Sequence, residues 1–192
     1  MEIRIFDDMS QCTETEVRRL LPLVSAQRRE QALKFRHTFG QFACLKSYVV
    51  LSEMLGFKPE FDYNEHGKPF IRFFGSPFFS ISHCREAIAV VVSDEPVGID
   101  AESIRDVSEA LIDKTMNPTE AADIRSAEDM AERFTEYWTR KEAVLKLRGT
   151  GITDDLHGVL EGRLEIGDRR LETETHINME KGYVWSLAVP LQ

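Results

Sequence analysis

The sequence is short of cysteine, of basic charge and of long apolar runs, and each shortage removes a class of function. Its three cysteines, Cys12, Cys44 and Cys84, stand far apart with no Cys-x-x-Cys pair. That count and spacing argue against a disulfide framework and against a zinc site. Aspartates and glutamates number 33 against 24 lysines and arginines, giving a formal net charge of −9 over 192 residues. A protein that grips nucleic acid through its phosphates leans the other way, so no nucleic-acid partner is expected. No apolar run approaches the length of a membrane span, and the opening MEIRIFDDMS has no basic-then-apolar leader pattern. The expectation is a protein without membrane association in a reducing cytoplasm. There is no low-complexity linker, and no repetition is detectable between the two halves of the chain.

The hydrophobic content of 42% is enough for a real core, in one large domain or two small ones. Bases gather in the first third, with Arg18, Arg19, Arg28, Arg29, Lys34, Arg36 and Lys46, whereas residues 102–136 are acidic. An anionic ligand is therefore expected to use the first third and the segment from Lys141 to Arg148.

Residues 1–6 alternate apolar and polar and read as a strand. Thr13 and Glu16 form a capping box for a helix to about Val24, and Ser25 caps a second, Ala26 to about Phe35. Residues 39–55 carry a helical apolar stripe that Gly56 ends. Strands follow: FDYN and PFIRFF as a hairpin around EHGK, then FFSISH, then AIAVVVS, whose unbroken β-branched run suits a central position. Val97–Ala101 is a further strand. Ser108 to about Thr115 is a short helix, Asn117-Pro118-Thr119-Glu120 opens another, and a third begins near Ser126. VLEGRLEI, RRLETETHI and YVWSLAVP close the chain as strands. Each half reads as helices followed by an antiparallel meander. The expected fold is α+β: two similar lobes, 1–96 and 97–192, each with a small antiparallel sheet and packed helices.

The stretch FTEYWTRKEAVLKLR, residues 134–148, contains neither glycine nor proline, and Gly149 follows it. Helical spacing puts Trp138, Glu142 and Lys146 in one column: a flat apolar body, a carboxylate and an ammonium. By itself that is a common surface pattern. It gains meaning beside Asp100 and Glu102, which strand periodicity places on one face at a strand end. Two such oxygens with room left over suit Mg2+, which keeps waters and often shares substrate phosphates, and Glu142 could supply a third. Ser82 and His83 end a strand but point apart, so they are not a catalytic dyad. A histidine there could meet a phosphate. Gly67-Lys68-Pro69 reads first as turn chemistry and second as a ligand contact.

In order, the chain gives GKP, FSISH, VGIDAE, MNPTE and WTRKEAVLK. This set resembles the 4'-phosphopantetheinyl transferases, in the larger class that activates carrier proteins of peptide, polyketide and fatty-acid synthases. The likeness covers roughly residues 25–155, and the G-I-D-x-E and W-x-x-K-E-A-x-x-K motifs at this separation are specific as a pair. The resemblance implies lobes related by a pseudo-twofold axis with coenzyme A bound between them. It implies Mg2+ among Asp100, Glu102 and Glu142, with Glu142 also the general base, directly or through water. Lys146 would neutralise the breaking pyrophosphate, Ser82 and His83 would touch its phosphates, Lys68 would lie near the nucleotide, and Arg28 would face the 3'-phosphate. Lys141 would reach either the pyrophosphate or a neighbouring acid. Trp138 would pack between the halves. Gln31 and Ala43 stand where basic phosphate contacts are expected, and Lys46 could replace the latter.

The implied activity is Mg2+-dependent transfer of phosphopantetheine from coenzyme A to a carrier serine. A non-catalytic coenzyme A or carrier-binding module and a phosphohydrolase are the rival readings. Docking of an acidic carrier would rest on Ala110, Leu111 and Met116. Two halves in one chain suit a monomer.

Overall fold

The computed structural model describes residues 1–73, 75–151, 156–161 and 164–191. Strand β1 (Glu2–Phe6) leads to helices α1 (Glu14–Leu20), α2 (Ala26–Leu33) and α3 (Thr38–Leu55). A two-stranded hairpin of β2 (Phe61–Tyr63) and β3 (Pro69–Ile71) follows, then β4 (Phe78–His83) and β5 (Ile88–Ser93). The second half repeats the plan with β6 (Gly98–Ser103), α4 (Glu109–Thr115), α5 (Pro118–Ser126), α6 (Met130–Arg148), β7 (Glu165–Ile166), β8 (Arg169–Asn178) and β9 (Tyr183–Pro190). All pairing is antiparallel, in sheets ordered β1-β5-β4 and β6-β9-β8-β7. In both, the first strand of the half pairs with its last, and the last with its penultimate long strand.

Local chemistry sets the helix ends. Thr13, Ser25, Ser108, Asn117 and Asp129 each accept a first-turn backbone N–H, and Asn117 with Glu120 makes a full capping box. The box expected at Thr13 is only half made, because the Glu16 carboxylate binds Arg19 instead. The helix expected through Val24 stops at Leu20 and tightens into a 3-10 turn at Leu21–Leu23, where Pro22 lies. Ala127 ends α5, so the last helix starts at Met130 rather than near Ser126. The expected strand VLEGRLEI is a 3-10 turn at His157–Leu160 and a two-residue strand at Glu165–Ile166, while Gly162 and Arg163 lie outside the described residues. Phe74 of PFIRFF also lies outside them.

Strand β5 is central and buried on both faces. Ile88 and Val90 join the core under α1–α3, whereas Ala89 and Val91 pack with Ile99, Ala101 and Leu187 of the second sheet. That explains the continuous β-branched run: neither face meets water. On β6 the alternation runs the other way, with Ile99 and Ala101 toward β5 and Gly98 and Asp100 toward α6. Between the sheets the link is made by side chains, as Ile99 N donates to Ser80 Oγ at 3.1 Å and Ser82 Oγ donates to Asp100 Oδ1 at 2.8 Å. Near the ends, Asp7 binds Lys181 Nζ at 2.9 Å and the Tyr183 hydroxyl at 3.0 Å. Among the described residues no helix is long and apolar enough to cross a membrane.

Helix α6 lies so close to β6 that a Cβ on Gly98 would sit 2.0 Å from Ala143 O and 2.6 Å from Leu147 N. Those are backbone atoms and cannot rotate away. Gly98→Ala is therefore expected to lower the unfolding free energy by at least about 3 kcal/mol. Urea unfolding checks this, and a loss under about 1 kcal/mol would mean the helix can lift from the strand at little cost.

Candidate functional site

Because α6 runs over β6, its inner column faces the strand's polar side. Asp100, Glu102, Glu142 and Lys146 thereby line one cleft of about 420 Å³, whose opposite wall includes Arg28 and His83. A second chamber of about 260 Å³ shares Ile81, Glu142 and Lys146 and runs toward His66, Lys68 and Gly149. A third hollow, also about 260 Å³, shares Glu102 and Trp138 and is floored by Val107, Leu111 and Phe134.

Asp100 is 2% exposed. Its Oδ1 accepts from Lys146 Nζ at 2.6 Å and from Ser82 Oγ, and Lys146 also donates to Ser82 Oγ at 2.7 Å. Asp100 Oδ2 and Glu142 Oε1 are buried without a hydrogen-bond partner. Burial, and next the charge of Asp100, push the Glu142 carboxyl up to about 7, against the downward pull of Lys146. Glu102 is raised for the same two reasons, in the same order, while Arg105 at 3.8 Å, Lys146 and a Trp138 hydrogen bond hold it down. Three acids and one ammonium thus share a poorly hydrated space. Among the described residues no three carboxylate, imidazole or thiol groups stand around one point at coordinating distance. The two orphaned carboxylate oxygens nevertheless fit a bound cation, since each lacks the donor that burial demands.

Arg28 is held on the far wall by three bonds: Nε to Cys44 O at 2.9 Å, and the other nitrogens to Gln31 Oε1 and Ser47 Oγ. Its guanidinium also lies over the Tyr48 and Phe61 rings. His83, at the end of β4 on the cleft wall, meets Phe39 edge-on at 6.0 Å, and the loss of water on its cleft side first and Lys146 second lower its pKa. Lys68 donates to Leu147 O at 3.1 Å, and Asn64 to Gly149 O at 2.8 Å, so the β2–β3 turn closes on the last turn of α6. Burial lowers the Lys68 pKa.

Several residues lie elsewhere than the sequence suggested. Lys141 is fully buried on the opposite side of α6, where its ammonium meets Glu120 Oε2 at 2.6 Å, Thr115 O at 2.8 Å and Leu156 O at 2.8 Å. Of the two roles left open for it, the structure shows the neighbouring acid. Ala43 is wholly buried, and the cleft positions on α3 belong to Cys44 and Ser47. Lys46 points to the end of β1 and the turn after it, 4.2 Å from the Phe6 ring centre and 3.5 Å from Gln11 Oε1, so it does not stand in for Ala43. Met116 is 2% exposed and belongs to the core with Ile112 and Ile124, while Ala110 and Leu111 are exposed. Trp138 stacks on Phe134 at 6.1 Å and also lines the cleft that first-half residues such as Arg28 and His83 share. Sequence reasoning missed Glu120 as the partner of Lys141. The helix start at Asn117-Pro118-Thr119-Glu120 was visible, but the contact of Glu120 with Lys141 was not.

A sequence profile described as the 4'-phosphopantetheinyl transferase superfamily matches residues 96–188. The 4'-phosphopantetheinyl transferase AcpT of Salmonella typhimurium is 37% identical over 136 residues, 67% of this chain and 71% of that protein. The chain belongs to the 4'-phosphopantetheinyl transferase superfamily. The 4'-phosphopantetheinyl transferase psf-1 of Bacillus pumilus is 29% identical over 185 residues, 92% of this chain and 78% of its own. Sfp of Bacillus subtilis is 23% identical over 150 residues, 73% and 67% respectively. Membership is thus of the larger, surfactin-synthetase-activating type.

Two outcomes follow from the charges. Lys141→Met leaves the buried Glu120 without its ammonium partner, and is expected to lower the unfolding free energy by about 3–5 kcal/mol. Chemical denaturation reads this, and a loss below about 1 kcal/mol would show that this pair contributes little to the fold. Glu142 sets a pH dependence when divalent ions are chelated. Between its ordinary 4.5 and about 7 the folded protein keeps a proton that the unfolded chain releases, so its contribution to stability is complete below 4.5 and fades as pH rises to 7. Glu142→Gln is expected to flatten that fall in Tm, and an unchanged slope would assign the fall to other groups.

Proposed function

We propose that this chain transfers the 4'-phosphopantetheine group of coenzyme A to a serine of an acyl or peptidyl carrier protein, releasing adenosine 3',5'-bisphosphate. What supports the reading most is the meeting of Asp100, Glu102, Glu142 and Lys146 in a single cleft opposite Arg28 and His83. In this reading the nucleotide's 3'-phosphate lies at Arg28, with Ser82 and His83 beside the pyrophosphate and Lys68 near the nucleotide end. Asp100, Glu102 and Glu142 would hold Mg2+, to which the orphaned Asp100 and Glu142 oxygens are suited. When bound, the ion supplies neutralising charge to the pyrophosphate.

Phosphoryl transfer asks for alignment and charge neutralisation more than for covalent help. The carrier serine oxygen attacks the phosphorus next to pantetheine, and the bond from that phosphorus to the bridging oxygen breaks, leaving the electron pair on the nucleotide. Glu142 takes the serine proton, directly or through a water. Lys146 neutralises charge on the leaving phosphate. The recurring strand order supports two lobes, 1–96 and 97–192, about a pseudo-twofold axis with the cleft at their seam. Ala110 and Leu111, exposed beside the hollow that opens on Glu102, are the surface we assign to the carrier. The enzyme works as a monomer in the cytoplasm.

With Mg2+, coenzyme A and an apo carrier, the carrier is expected to gain the mass of one phosphopantetheine, measured by intact mass spectrometry. Glu142→Gln is expected to cut the rate by at least about a hundredfold while the protein stays folded, read by circular dichroism. Tight coenzyme A binding without any mass gain would return the non-catalytic binding module, and cleavage of coenzyme A without an acceptor would return the phosphohydrolase.

A further inference from the structure

Among the described residues, the cleft that holds the three acids is lined by one ammonium, that of Lys146, and it stands on a carboxylate assigned to the metal. Lys146 Nζ lies 2.6 Å from Asp100 Oδ1 and 2.7 Å from Ser82 Oγ, and Ser82 donates to the same Oδ1 at 2.8 Å. That oxygen therefore carries both an ammonium and a hydroxyl, while Oδ2 of the same carboxylate carries nothing. A divalent cation bound by Asp100 would lie within a few ångströms of this ammonium. In a space withdrawn from water, like charges at that distance repel strongly, so the ion and the ammonium compete for one carboxylate. Lys146 also has somewhere to go. Its side chain is 29% exposed and borders both chambers that flank Glu142.

We propose that Lys146 serves as an internal counterion that holds Asp100 until a divalent cation displaces it, and that the displaced ammonium is thereby delivered to the diphosphate of the substrate. This rests on the metal and coenzyme A reading above and adds an order to it. The cation and the anion help each other: a diphosphate that draws Lys146 away frees Asp100, and a cation that occupies Asp100 frees Lys146. By linkage the two effects are equal in size. The Ser82 hydroxyl hydrogen-bonds both members of the pair.

The test measures Mn2+ affinity by electron paramagnetic resonance, without coenzyme A, for the wild type, Lys146→Met and Lys146→Arg. Lys146→Met is expected to bind Mn2+ at least about tenfold more tightly than the wild type, although its turnover falls. Lys146→Arg, which keeps the charge, is expected to stay within about threefold of the wild type. A Met variant that binds Mn2+ no more tightly overturns the proposal, and leaves the metal reading standing if coenzyme A and Mn2+ still bind the wild type together. Absence of Mn2+ binding even with saturating coenzyme A overturns both. The wild type gives an independent measure should the Met variant fail to fold. Mg2+ is expected to speed reductive methylation of Lys146, read by peptide mass spectrometry, and an unchanged rate counts against displacement.

Discussion

The contact between the backbone of α6 and the bare α-carbon of Gly98 governs the geometry of the whole site. A helix usually rides on a sheet through a layer of side chains, which keeps the two backbones well apart. Here one strand position has no side chain, and the helix settles onto it. The consequence is reach. Glu142 and Lys146 are brought down to the level of Asp100, so that an ammonium on a long stem meets a carboxylate on a short one at 2.6 Å. Raised by a methyl group, the column would face the same strand across a wider gap. The glycine of the G-I-D-x-E motif is thus a spacing device, and the acids after it depend on that spacing.

Two lysines five residues apart on α6 show how position on a helix divides similar chemistry. Lys141 faces the α5 side and is enclosed by one carboxylate and two carbonyls, an arrangement that fixes segments and leaves the ammonium no freedom. Lys146 faces β6, has one carboxylate and one hydroxyl, and borders open space. Buried charge is costly unless fully satisfied, so the first lysine is committed to structure. The second is under-satisfied in a way that favours exchange of partners. The same distinction separates Glu120, which closes a capping box and an ion pair at once, from Glu142, which keeps an oxygen bare and rises to about 7.

Much of this was legible in the sequence, where the signal was periodic or local. The apolar run of β5 announced a strand buried on both faces, and Gly56 and Gly149 marked the ends of α3 and α6. Asp100 and Glu102, two apart on a strand, read as sharing a face, and Trp138, Glu142 and Lys146 as sharing a helical column. What periodicity cannot state is which neighbour a face meets. Lys141 carried two readings because helix spacing does not show that α5 presents Glu120 to it. Ala43 and Lys46 were placed by a register along α3 that the packing of α1 and β1 against its outer side does not allow. Met116 looked like a surface residue beside Leu111 because the α4–α5 junction folds inward only in three dimensions. The short strand β7 was overstated, since its neighbours Val159 and Leu160 serve the core under α6 from a 3-10 turn.

The bonds from Asp7 to Lys181 and Tyr183 span almost the whole chain. They have a kinetic meaning for a polypeptide made from its N-terminus. Strand β1 can find β5 once residue 93 has left the ribosome, but Asp7 must wait for a hairpin synthesised some ninety residues later. Closing such a loop is slow, because its entropy is surrendered before any contact compensates it. These contacts are therefore expected to form only after translation of β9, with the nascent first sheet leaving one face of β5 uncovered until the second sheet arrives.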